Sequence, residues 1–315
     1  MKIALSKLDI SNAQLRIKPF IHRTPILTAS YFNGLLEAEL FFKCENFQKA
    51  GAFKYRGATN AVLQLTEAQK TKGIIAHSSG NHAQALALAA KIQGIKAHIV
   101  MPSNAPKVKS EAVAGYGAKI TFCEPTLEAR EKTVKTLIEQ FNYTEIHPFD
   151  NDHIIAGQAT AAMELMEDAP NLDAIIAPIG GGGLLSGTAL AAHYFGKNIA
   201  VYGGEPQGAN DAKQSLDAGS LIPMVSPSTI ADGLLTSLSP RTFAIIQVCV
   251  TDIITVSEKE ILSAMKLVWE RMKIIIEPSS SVSVAAVLKN KSLFKNKRVG
   301  IIISGGNVDF TNLPF

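Results

Sequence analysis

The chain has 315 residues, 47% hydrophobic and 18% charged, with a formal charge of +4. This describes a packed globular protein of about two domains, not a disordered one. Scattered basic residues without interleaved aromatics argue against nucleic acid, no stretch approaches the ~20 apolar residues of a membrane span, and Met1–Asp9 is too short in apolar residues for a signal peptide.

In chain order, Asp9–Lys18 reads as a short helix ended by Pro19, and His22–Pro25 as an extended entry. Leu40–Lys43 is a strand leading to a turn at Lys54. Ala58–Gln69 reads as one helix, with Ala61, Leu65 and Ala68 on one face. A strand–helix alternation then begins: strand Ile74–His77, turn Ser78–His82, helix Ala83–Lys91, strand Ala97–Met101, helix Lys107–Ala114, strand Lys119–Phe122 and helix Glu128–Phe141. His147–Asp152 is a polar, proline-containing connection and the expected crossing between domains. Beyond it come a helix (Ile155–Met166), a strand (Ala174–Ala177), four glycines from Gly180 to Gly183 before a small-residue helix, and a strand (Ala200–Glu205). Ser257–Glu260 matches a capping box, and Ile261, Met265, Val268, Trp269 and Met272 form the core stripe of the helix behind it. Strand Val299–Ile303 ends in Ser304–Asn307. Buried strands alternating with helices predict α/β architecture with parallel sheets flanked by helices.

The chemistry collects at three strand ends: Ser78–His82, Gly180–Gly183 and Ser304–Asn307. Ligands of open α/β sheets bind outside the carboxyl ends of the strands. Consecutive glycines before a helix offer backbone N–H groups to an anion. The run lacks the Lys-Ser/Thr of a P-loop and the third glycine of a dinucleotide fingerprint, although Glu205 at the next strand end keeps a nicotinamide enzyme as an alternative. A single phosphate fits better. Lys54 lies in Phe47–Ala58, bracketed by Gly51 and Gly57 and flanked by Phe53 and Tyr55. A lysine desolvated there is a candidate Schiff-base nucleophile, and a monophosphate site beside it suggests pyridoxal phosphate. Cys44, Cys123 and Cys249 lie far apart and suit reduced thiols in the cytoplasm, and none has zinc-ligand spacing to another Cys or a His pair. His147 and His153 are too isolated to read as a zinc pair.

Ala50–Ala58, His77–Gln84, Gly180–Leu184, Ile230–Gly233 and Ser304–Asn307, in this order and spacing, resemble the fold-type II pyridoxal-phosphate enzymes, most closely the serine racemase/threonine dehydratase group. The resemblance covers nearly the whole chain. It implies a tryptophan synthase β-like fold with a large cofactor domain (residues 1–72 and 150–315) and a small domain (73–149) that closes over the substrate. It implies that Lys54 carries the cofactor and moves the substrate α-proton. Phe53 would lie against the pyridine ring, Asn81 would bond its phenolic oxygen, Gly180, Gly181, Gly182, Gly183 and Leu184 would hold the phosphate, and Ser304 would face the ring nitrogen. An uncharged hydroxyl there tempers the electron sink, which suits elimination and racemisation. Ser78, Ser79, Asn81 and His82 would bind the substrate carboxylate.

Threonine dehydratases of this group usually have alanine where Ser79 stands; in serine racemases the serine protonates the face opposite the lysine. Glu205, Ala209 and Asp211 match the group's cation site, whose oxygen ligands suit Mg²⁺, or Ca²⁺ or Mn²⁺. Arg130, Asp232 and Thr236 align with the substrate region, with Thr236 in place of a serine. Ala52 and Ser279–Ser281 depart from common members and bear on substrate preference. The expectation is a cytoplasmic serine racemase that also dehydrates serine, acting on a small amino acid, homodimeric by resemblance and open to a nucleotide effector. The alternative is a threonine/serine dehydratase or threo-3-hydroxyaspartate ammonia-lyase without useful racemisation; a non-catalytic sensor would need neither Lys54 nor Ser79. The further expectation is that feedback control by isoleucine through a C-terminal regulatory domain plays no part here.

Overall fold

The computed structural model describes residues 4–105 and 107–313, without the Val108 side chain; Met1–Ile3 and Phe315, on which the readings of the two ends touch, lie outside the described residues. The first half comprises α1 (Lys7–Ile17), β1 (Ile26–Leu27), α2 (Ser30–Leu36), β2 (Glu39–Cys44), α3 (Lys54–Leu63), α4 (Glu67–Lys72), β3 (Ile74–His77), α5 (Asn81–Ile92), β4 (Ala97–Pro102), α6 (Lys107–Gly115), β5 (Lys119–Cys123), α7 (Leu127–Phe141) and β6 (Thr144–Glu145). The second half adds α8 (Asp152–Asp168), β7 (Ala174–Pro178), α9 (Gly183–Phe195), β8 (Ala200–Pro206), α10 (Asp211–Ala218), α11 (Pro240–Cys249), β9 (Asp252–Val256), α12 (Glu258–Met272), α13 (Pro278–Lys289), α14 (Lys291–Phe294) and β10 (Arg298–Ile303).

Two sheets organise these elements. The larger has the order β1-β2-β10-β7-β8-β9 and the smaller β5-β4-β3-β6. Every pairing is parallel except β1 with β2. The central strands read as unbroken apolar runs because helices cover both faces. Apolar side chains of α12 and α13 pack on one face of the large sheet, and those of α9 and α11 on the other. The core beneath the small sheet draws Tyr55, Ala58, Ala61 and Val62 from α3 and Ile154 from α8, while Phe53 packs against the large-sheet core, so the segment carrying Lys54 touches both.

The expected helix over 58–69 is two helices. The first begins at Lys54, so the lysine opens a helix instead of sitting on a turn. Thr66 accepts from the Gln69 N–H and Gln69 reaches back, a capping box that restarts the chain as α4. Sequence reasoning also omitted β1, α2, β6, α10, α11, β9, α13 and α14. Of these, α11 starts at a Ser239 capping box with proline at its first position, and α13 starts with Pro278.

Candidate active site

Lys54 is presented by a short loop that leaves β2 and folds back on the chain after β10. Ala52 pairs with Gly305, the Phe53 N–H donates to the Ser304 carbonyl at 2.9 Å, and the Gly306 N–H donates to the Gly51 carbonyl at 2.9 Å. Gly51 has φ +69°, and a Cβ there would lie 2.3 Å from Asn307 Oδ1, so this crossing needs glycine. The loop sets Lys54 half-buried at the head of α3. Its Nζ donates to the Pro148 carbonyl at 3.2 Å and lies 5.2 Å from the Phe53 ring centroid. Burial lowers the amine to about 8, against an opposing pull from the Glu277 carboxyl. An amine so placed gives up its proton far more readily than a free lysine, as a Schiff-base nucleophile must.

The glycine loop follows β7, the neighbour of β10. Gly182, at φ +85°, caps the 13-residue helix α9, and no side chain bonds the helix start, so the first-turn N–H groups of Gly183, Leu184 and Leu185 are not taken by a cap. The Phe149 ring packs on Gly181, and the backbone of Leu234 lies against Gly180. Ser304, 2% exposed, stands at the end of β10. An amine, an aromatic ring, a buried hydroxyl and a glycine-capped helix start are the donor set that pyridoxal phosphate requires, and these residues fit it.

The turn between β3 and α5 holds the remaining polar groups. The Gly80 N–H donates to Ser78 Oγ at 3.3 Å, and Ser79 is half-buried beside it. The Asn81 amide is held from both ends: Nδ2 donates to Glu277 Oε1 at 2.8 Å, and Oδ1 accepts from Asn307 Nδ2 at 2.8 Å. His82 is buried, and its Nε2 meets the Ile146 carbonyl at 2.9 Å. Burial, with the Lys54 charge adding to it, lowers His82 to about 3. The neutral ring therefore donates Nε2–H to the carbonyl and leaves Nδ1, which has no partner, as an acceptor. A carboxylate can then be received by the His82 backbone N–H but not by this ring.

Of the other expected substrate residues, Asp232 is exposed and paired with Lys109 of α6, which also reaches the Gly80 turn. Arg130 is half-buried on α7, its Nε donating to the Thr126 carbonyl at 3.2 Å, and Thr236 is exposed. The Ser279–Ser281 hydroxyls are occupied by backbone: Ser279 Oγ accepts from Gly233 N, Ser280 Oγ from Gly305 N, and Ser281 Oγ donates to the Glu277 carbonyl. They fasten the start of α13 to the loops around the site.

Glu277 and Lys109 were missed because no local motif marks them, and Asn307, though inside the Ser304–Asn307 stretch, was given no role of its own. His147, dismissed as half of a zinc pair with His153, stands instead beside His77, with ring centroids 6.1 Å apart. Burial lowers His147 to about 4, and its Nδ1 accepts from the Asp150 N–H at 2.9 Å.

At the edge of β8, Glu205 is fully buried and accepts from the Ala212 and Lys213 N–H groups at 2.9 Å each. Asp211 accepts from Leu238 N through Oδ2, while its buried Oδ1 has no partner. Burial raises Glu205 to about 8 and Asp211 to about 6. Ala209 is buried between them in sequence. Two buried carboxyls and a carbonyl fit a hard cation. Among the described residues, no three His, Cys, Asp or Glu side chains converge to hold a metal by themselves, and no helix is long and apolar enough to cross a membrane.

Residues 17–305 match the family described as "Pyridoxal-phosphate dependent enzyme". The chain is 54% identical to a serine racemase of Dictyostelium discoideum, over 97% of this chain and 95% of the relative. It is 48% identical to a beta-hydroxyaspartate dehydratase of Paracoccus denitrificans (strain Pd 1222), over 98% of each. The crystal structure of the Dictyostelium serine racemase superposes with a TM-score of 0.92, covering 96% of this chain and 98% of that one.

Proposed function

The chain belongs to the pyridoxal-phosphate dependent enzymes, and from that membership we propose that it is a serine racemase that also dehydrates serine to pyruvate and ammonia. The reading rests on one pairing: a desolvated Lys54 amine at the head of α3 and a hydroxyl, Ser79, in the turn two residues before Asn81. Inversion at the α-carbon needs a proton acceptor on one face and a donor on the other.

Pyridoxal phosphate supplies the electron sink that makes the α-proton of a bound amino acid acidic. Lys54 would hold it, with Phe53 against the ring, Ser304 at the ring nitrogen, Asn81 at the phenolic oxygen, and the N–H groups from Gly180 to Leu184 on the phosphate. Neutral Lys54 takes the α-proton and becomes an ammonium. Ser79 would return a proton from the other side, which yields the opposite enantiomer, and the proton left on Lys54 would be passed back to Ser79 through solvent. When the β-hydroxyl leaves instead, it would take up a proton equivalent to the one Lys54 gained and depart as water, and the released enamine hydrolyses to pyruvate and ammonia. Backbone N–H groups at the start of α5, with Ser78 and Ser79, orient the carboxylate. Arg130, Asp232 and Thr236 would line the substrate side. Residues 73–149 would close as a unit over 1–72 and 150–315 and exclude water, with the Lys109–Asp232 pair at the mouth.

The reading includes a divalent cation, Mg²⁺ or else Ca²⁺ or Mn²⁺, on Glu205, Asp211 and the Ala209 carbonyl, which the unpartnered Asp211 Oδ1 supports. It extends by resemblance to a cytoplasmic homodimer with a nucleotide effector.

The test is chiral product analysis from L-serine, with pyruvate measured in the same reaction. We expect D-serine at a rate comparable to pyruvate, and Ser79→Ala to abolish D-serine while pyruvate persists. Pyruvate alone from the unaltered protein would overturn racemisation and favour the second reading, a dehydratase of serine, threonine or threo-3-hydroxyaspartate. The 48% identity to a beta-hydroxyaspartate dehydratase supports that reading.

A further inference from the structure

Glu277 is 4% exposed and stands at the start of α13, where the chain passes beneath the site. Its two oxygens reach different elements. Oε1 accepts from Asn81 Nδ2 of α5 at 2.8 Å, and Oε2 accepts from the Asn307 N–H after β10 at 3.2 Å. Asn307 closes the triangle: its Nδ2 donates to Asn81 Oδ1 at 2.8 Å and to the Ala50 carbonyl at 2.9 Å. A Cβ on Gly305 would lie 2.7 Å from Glu277 Oε1, so the carboxyl is wedged against the strand end that carries Ser304.

An asparagine amide can turn end for end at little intrinsic cost, and only its partners choose the orientation. Here both ends of Asn81 are assigned, its nitrogen to a carboxyl and its oxygen to an amide donor. One N–H of Nδ2 is taken by Glu277, and the amide has a second. We propose that Glu277 is a positioning residue of this site: through the Glu277–Asn81–Asn307 triangle it fixes the Asn81 amide with a nitrogen, not an oxygen, available to the phenolic oxygen of the cofactor. This rests on the pyridoxal-phosphate reading of the site. Without Glu277, Asn81 can turn and set its carbonyl oxygen against an electron-rich oxygen, which repels it.

When ionised, the carboxyl acts also through its charge. Burial raises it to about 8, with Asp232 adding to the rise and Lys109 opposing it. It pulls in turn on the Lys54 amine. The charged and titratable groups facing it are therefore Lys54 of α3, Lys109 of α6 and Asp232 of the 232–234 turn, and any pH profile of the site is shared among them.

The experiment reconstitutes the full-length protein, stripped of cofactor, with pyridoxal phosphate and reads the dissociation constant and the ratio of the cofactor's two near-ultraviolet and visible absorption bands. Glu277→Gln, Asn81→Ala and the double variant complete a cycle, and Asn307→Ser removes the other anchor while keeping the carboxyl. We expect each single change to weaken cofactor binding about tenfold and to shift the band ratio, with the double variant no weaker than Asn81→Ala alone. Additive losses, or an unshifted band ratio in both Glu277→Gln and Asn307→Ser, would overturn the role. If Glu277→Gln fails to fold, Asn307→Ser with its own double variant decides by the same criteria. Failure of the unaltered protein to bind pyridoxal phosphate would strike the functional reading instead, so the two failures are distinguishable.

Discussion

Glu164 and Glu277 are equally buried, each 4% exposed, yet burial has opposite outcomes at the two. Beneath the head of α3, Glu164 accepts from Arg56 at 2.9 and 2.8 Å and from Lys43 at 2.7 Å. Arg56 also bonds Glu45 at 2.7 and 2.8 Å. Burial pushes the Glu164 carboxyl up, but the Arg56 and Lys43 bonds more than offset it and hold it below the usual carboxylate range. Glu277 meets only uncharged donors, with Asp232 close enough to repel it, and ends near 8. The same contrast separates Arg56 from Lys54, two positions apart at the start of α3: one has its donors bound to carboxylates, the other has a single backbone carbonyl. A buried charge network that balances internally makes a rigid footing, while groups left unbalanced above it keep protons within reach of physiological pH.

The largest break in this comparison is Lys54→Ala. Removing this desolvated amine should lower both D-serine and pyruvate formation about 10⁴-fold, measured with cofactor in excess, with little change in thermal stability, because no charged partner is left unpaired. Full turnover in this variant would sink the mechanism.

Arg56→Met should do the reverse. It leaves Glu45 and Glu164 buried without their shared cation and should cost about 3–5 kcal/mol in urea-induced unfolding, or abolish folding outright. Protein that remains folded should still bind pyridoxal phosphate at Lys54. A stability loss below about 1 kcal/mol would mean that the network is solvated or relaxes easily.

These two regions were not equally legible in the sequence. Lys54, the four glycines, Ser304 and the Ser78–His82 turn lie in short continuous blocks, because a tight turn or a strand end must be written locally. The network partners are 108 residues apart for Arg56 and Glu164, and the Asn81–Glu277 bond spans 196. No local pattern marks such pairs; only the order of strands brings them together. Among the elements, the restart at Thr66 was readable from its Thr-x-x-Gln box and was passed over for the apolar stripe across it. The helix α13 was obscured by four serines and β-branched residues of low helix propensity, and the tertiary fold bonds the hydroxyls of Ser279, Ser280 and Ser281 to backbone.

A pH series sharpens the comparison further. Glu277 holds its proton more tightly folded than unfolded, so its contribution to stability is present below the unfolded value of 4.5 and is lost as pH rises toward about 8. Glu164 has the opposite sign: its contribution is present above 4.5 and is lost as pH falls through its lowered folded value. Melting of the cofactor-free protein should therefore show Glu277→Gln gaining on the unaltered chain between about pH 5 and about pH 8, while the deficit of Glu164→Gln shrinks below about pH 4. Parallel curves for the two variants would remove the distinction drawn here.

The smallest effect tests whether the footing and the site are independent. Arg56 Nη1 also donates to Thr160 Oγ1 at 3.2 Å, and that hydroxyl donates to the Gly157 carbonyl at 2.7 Å. Thr160→Val keeps the shape and removes both bonds, in a network whose charges remain paired, so the expected cost is about 1 kcal/mol. Because Arg56 keeps its carboxylates, Lys54 should not move, and kcat/KM for both products should stay within about twofold. A larger fall in kcat/KM, at a temperature where the variant is fully folded, would show that the balanced cluster tunes the lysine above it as well as supporting it.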